Sequence, residues 1–121
     1  MNRISPARAL AAALIMTGAR LATAHAHPAQ EAPGAGQTLA TAPREVAIDF
    51  DESVDAAFTS IAVADARGRS VTRGKAAADT ANGKHVSVPL QPLPSGRYTV
   101  SWVAVARDGH RTQGHYSFAV K

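Results

Sequence analysis

The chain has 121 residues, 45% of them hydrophobic and 18% charged, which fits a single globular domain and excludes a wholly disordered chain. It contains no cysteine, so a disulfide framework, a thiolate zinc site, an iron–sulfur cluster and a cysteine nucleophile are excluded together. The formal charge of +4 invites a nucleic-acid partner. However, the basic residues are scattered and no basic stripe interleaved with stacking aromatics is present, so nucleic acid is not expected.

At the amino end, Arg3 and Arg8 precede an apolar run from Ala9 to Thr17, the pattern of a secretory signal peptide. The run is too short for a stable membrane-crossing helix, which takes about 20 apolar residues. Small residues then present two overlapping cleavage registers. Ala22-Thr23-Ala24 leaves His25 first, and Ala24-His25-Ala26 leaves His27 first. The expected organisation is therefore a leader, residues 1–24, and one domain, residues 25–121. The leader takes with it Arg3, Arg8 and Arg20 and no acidic residue, leaving ten basic against nine acidic residues in the domain. Met1 and Met16 leave as well, so the domain has no sulfur donor yet keeps all five histidines.

Residues 28–44 are rich in Pro, Gly and Ala and read as an extended arm with one short strand. Glu45–Phe50 alternates, with Val46, Ile48 and Phe50 on one face. Ser60–Ala64 turns Ile61 and Val63 inward. Asp65-Ala66-Arg67-Gly68 is a turn in which Gly68 supplies the positive φ, and Arg69–Lys75 reads as a charged edge strand. Asn82-Gly83 marks a second turn, after which Val86, Val88 and Leu90 align. The longest strand is Arg97–Ala106, with Tyr98, Val100, Trp102 and Ala104 on one face. Asp108-Gly109-His110 interrupts it as a loop or bulge, and the last strand aligns Tyr116, Phe118 and Val120. Short alternating runs separated by turns predict an all-β, immunoglobulin-like or Greek-key sandwich of about seven strands.

Three features stand out chemically. His25-Ala26-His27 flanks the cleavage registers, and a freed amine beside an imidazole chelates metal. With His25 first, His27 is third, a position from which amine, two amides and imidazole form the square-planar nitrogen set that Cu(II) prefers. Asp108 and His110, two residues apart, face one side of an extended segment, where the carboxylate either ligates or fixes the ring. Phe50-Asp51-Glu52 ends a strand in two acids, and Glu52 is the one expected to meet the arm. His85 and His115 read as surface residues.

These segments resemble the CopC-type periplasmic copper-resistance family, its YobA-like members included, from His25 to Lys121. The resemblance is carried by the HAH start, TLATAP, FDESV and above all GRYTVSWVAVARDGHRTQGHYSFAVK. In that last run Tyr98, Trp102, Asp108, Gly109, His110, Gly114, Tyr116 and Phe118 match in order and spacing. The resemblance implies a cupredoxin-like Greek-key fold that binds Cu(II) in the periplasm. It places His25, Asp108 and His110 at the metal, with Glu52 close by as an additional ligand or a supporting group, and the HAH start suits His27 to the same role. Two positions depart from the family: Asp51 stands in place of a small serine, and Arg107 sets a cation beside Asp108. The methionine-rich Cu(I) site of related chains does not transfer to a domain without methionine.

The function this implies is non-enzymatic: a copper carrier or buffer in copper resistance, with an inner-membrane copper transporter as the expected recipient. Two other readings compete. One is an oxidative copper enzyme built on an amino-terminal histidine, against which stands the lack of an exposed aromatic row to hold a polymer. The other is a structural sandwich whose histidines are incidental.

Overall fold

Period-2 alternation folds this chain into two stacked sheets whose facing sides share one apolar core. The computed structural model describes residues 25–79 and 81–121, and the leader read in residues 1–24 lies outside them. Eight strands form among the described residues: β1 (Pro28–Ala32), β2 (Thr38–Leu39), β3 (Glu45–Phe50), β4 (Ser60–Ala64), β5 (Ala77–Ala78), β6 (His85–Pro89), β7 (Gly96–Val105) and β8 (Arg111–Val120). One sheet runs β1-β3-β6-β5 and the other β2-β8-β7-β4.

The aligned apolar faces named from the sequence are the faces that meet. Val46, Ile48 and Phe50 of β3 and Val86 and Val88 of β6 are buried against Val63 of β4, Val100 and Trp102 of β7 and Phe118 of β8. Trp102 packs edge-on against Phe50 across the two sheets, with ring centroids 5.5 Å apart. Opposite Trp102 in the β7–β8 register sits Gly114. A Cβ there would come within 2.7 Å of the indole, so only glycine admits the ring. Tyr98 stacks on Phe118 and donates its hydroxyl to the Pro94 carbonyl, fixing the entry into β7.

Two sequence expectations change. The arm holds two strands rather than one: β1 pairs antiparallel with β3, and β2 pairs parallel with the end of β8. Residues 69–75 do not form an edge strand. Ser70 bridges to Ala64 and Thr72 bridges to Leu90, so the segment crosses from one sheet to the other and cannot run along either. The turn before it is as expected, with Gly68 at φ 78°.

Candidate metal centre

Ala26 is fully buried and belongs to the core, although it precedes the first strand. Its carbonyl accepts a hydrogen bond from Thr112 Oγ1 of β8 at 2.6 Å. One residue on, the His27 N–H donates to Asp51 Oδ1 at 2.8 Å, and the Asp51 N–H donates back to the His27 carbonyl at 2.9 Å. An inward Ala26 forces its neighbours outward by strand alternation. His25 and His27 accordingly sit on one outer side, their ring centroids 6.2 Å apart.

The β7–β8 turn comes to the same place. Ala106 and His110 are bonded across it, and Gly109 occupies the left-handed region at φ 88°, which a side chain would strain. Asp108 and His110 do not lie in an extended segment as expected from their spacing; they form a turn in which the carboxylate folds onto its partner. Asp108 Oδ1 accepts the His110 backbone N–H at 3.0 Å, and Oδ2 meets the ring Nδ1 at 2.8 Å. With Nδ1–H committed to the carboxylate, Nε2 carries the lone pair that can meet an ion. The His25 ring lies edge-on to this imidazole at 4.9 Å between centroids. Asp108 is held below the usual carboxylate range, first by the side-chain bond from His110, then by the backbone bond, with the nearby His25 contributing. The carboxylate is thus anionic wherever the imidazoles are free to bind metal.

The structure brings His25, His27, Asp108 and His110 to one end of the sandwich. Asp51, the neighbour of the exposed Glu52, is the acid that accepts a hydrogen bond from the arm. The backbone decides this, because the β1–β3 pairing carries the ladder to Asp51 and no further. Arg107 reaches toward Gly83, 3.6 Å from where its Cβ would stand, and forms no ion pair with Asp108. Among the described residues no three His, Asp or Glu side chains are already drawn together as a metal cluster. The donor set therefore consists of two adjacent imidazoles, a carboxylate tied to one of them, and whatever the start of the arm supplies. His85, read as a surface residue, is about half exposed and pairs with Asp49 across β3 and β6 at 2.5 Å. His115 is exposed, as expected. Thr112 and Ala26 are the contributors the sequence reading missed; a threonine at the start of a strand and an alanine between two histidines carry no chemical signature of their own.

The model of the CopC domain family matches residues 29–121. Protein YobA of Escherichia coli (strain K12) is 34% identical over 122 residues, covering 97% of this chain and 98% of that protein. Copper transport protein CutJ of Bacillus subtilis (strain 168) is 34% identical over 98 residues, 80% of this chain but 18% of that much longer protein. Among solved structures, PcoC, a methionine-rich copper resistance protein from Escherichia coli, superposes with a TM-score of 0.70 at 27% identity, covering 81% of this chain and 100% of that one.

Proposed function

The chain belongs to the CopC family, and from that premise we propose that it is a periplasmic Cu(II)-binding protein of copper resistance that buffers the ion or delivers it to an inner-membrane copper transporter. The observation that carries the reading is the meeting of His25 and His110, rings 4.9 Å apart, with His110 already aimed by Asp108. Imidazole, amine and carboxylate suit Cu(II), whereas Cu(I) favours thioether and thiolate. The domain from His25 onward has neither methionine nor cysteine, so reduction removes the basis for holding the ion.

Packing supports the register that leaves His25 first. Cleavage after Ala26 would discard a fully buried residue and the carbonyl that Thr112 holds, whereas cleavage after Ala24 keeps both. The freed amine of His25 then joins its own imidazole as a chelating pair next to His110. Asp108 uses two of its roughly four lone-pair positions on His110 and retains others for the metal. His27, on the same outer side, is the reserve imidazole of the site. The transport role of CutJ, in which the matching region is a small part of a longer chain, supports delivery to a transporter as the downstream step.

The deciding experiment is titration of the processed domain with Cu(II) and, under reducing conditions, with Cu(I). One tightly held Cu(II) and no comparable Cu(I) uptake is the expected result. Absence of stoichiometric Cu(II) binding removes the proposal.

A further inference from the structure

We propose that Asp51 is a positioning residue that withholds the His27 peptide nitrogen from copper, so that the HAH segment serves as a pair of outward imidazoles and not as an amide chelate. The inference rests on the copper reading above and adds to it the mode of coordination.

From the sequence alone, a chain beginning His-Ala-His has the option of wrapping Cu(II) in its amine, the Ala26 and His27 amide nitrogens and the His27 ring. That chelate needs four nitrogens in one plane, with both amide protons expelled. Three contacts oppose it in the folded domain. The His27 N–H is already donated to Asp51 Oδ1 at 2.8 Å. The Asp51 N–H returns a bond to the carbonyl of the same residue at 2.9 Å, so both backbone polar groups of His27 are held by Asp51. Ala26, whose two peptide links would have to bend around the metal, is fully buried, with its carbonyl on Thr112. The grip also accounts for the side-chain arrangement: an extended backbone points His25 toward His110, whereas the amide chelate has no use for either of those rings.

The test uses the processed protein starting at His25, its first residue checked by intact mass, with Cu(II) as the probe. Wild type, Asp51→Ala and Asp51→Asn are compared, and the free peptide of residues 25–29 serves as the reference for an unrestrained amide chelate. Asn retains a side-chain oxygen able to accept the His27 N–H; Ala does not. The visible d–d band and the protons released per copper report amide coordination. Hydrogen exchange at the His27 amide, read without metal, reports the grip itself.

The expected result is a longer-wavelength band and fewer released protons for wild type and Asp51→Asn than for the peptide. Asp51→Ala is expected to move toward the peptide in both, with His27 exchange at least tenfold faster. A wild-type spectrum equal to that of the peptide overturns the proposal, as does an Asp51→Ala variant with unchanged exchange and spectrum. The wild-type-to-peptide comparison remains decisive if Asp51→Ala fails to fold. No Cu(II) uptake by the wild-type domain overturns the copper reading itself, an outcome distinct from full uptake with an amide-chelate spectrum.

Discussion

Thr112→Val is the sharpest probe of how the arm is held. The substitution keeps the β-branched shape suited to a strand and deletes the oxygen that sits 2.6 Å from the Ala26 carbonyl. A typical hydrogen bond contributes about 1 kcal/mol net, but here the loss is larger, because the carbonyl belongs to a residue with no exposed surface and stays behind unpaired. Deserting a buried acceptor costs about 1–3 kcal/mol, which shifts the docking equilibrium of the arm by roughly 5- to 150-fold. On the copper reading proposed above, binding needs the docked arm, so apparent Cu(II) affinity is expected to fall in proportion once the undocked form dominates. Hydrogen exchange at the Ala26 and His27 amides measures the docking equilibrium directly, and a competition titration measures the affinity. Thr112→Ser restores the hydroxyl and is expected to recover most of both. Equal exchange in wild type and Thr112→Val, or a Ser variant as impaired as Val, would refute the anchoring role.

Four further outcomes follow from the same geometry. Asp108→Asn removes the anion that fixes His110, and Cu(II) affinity is expected to drop about 10- to 100-fold by competition titration, with the fold unchanged by circular dichroism. The Asp108 carboxyl is depressed by His110, so its contribution is complete above the ordinary carboxylate value of about 3.9 and is lost only as pH falls through its lower folded value. On the proposed donor set, Cu(II) affinity is expected to fall as acid protonates the nitrogen donors, and an affinity profile flat between about pH 7 and 5 contradicts that set. Gly114→Ala forces a Cβ to 2.7 Å from the Trp102 indole and should lower stability by about 1–3 kcal/mol in denaturant unfolding; an unchanged midpoint would show that the ring gives way freely. Tyr116→Phe deletes a buried hydroxyl without a hydrogen-bond partner among the described residues, so stability should hold or rise by up to about 1 kcal/mol, and a clear loss would reveal a partner for that group.

The fold was legible in the sequence because burial in a two-sheet sandwich imposes a period of two, and that period is written in the order of residues. Val46-Ile48-Phe50, Val86-Val88 and Tyr98-Val100-Trp102 could be assigned to the core without coordinates, and the structure buries all of them. Gly68 likewise announced its turn, because a left-handed backbone strongly selects for glycine. The segment at residues 69–75 was misread because its polar alternation is compatible both with an edge strand and with a crossing between sheets, and only long-range pairing chooses between them.

The chemistry divides along the same line. Which donors exist is a property of composition: from His25 onward the chain offers histidine and carboxylate but no sulfur, a set that suits Cu(II) better than Cu(I) before any folding. Which donors meet is not. His25 and His110 are 85 positions apart, and they become neighbours because Ala26 finds a place in the core and Thr112 finds its carbonyl. Asp51 meets His27 for a comparable reason, since the β1–β3 ladder ends at its backbone. Local pattern specifies which side of a strand a residue occupies; contacts between residues distant in sequence are decided by packing and hydrogen-bond satisfaction, which exist only once the sheets have come together.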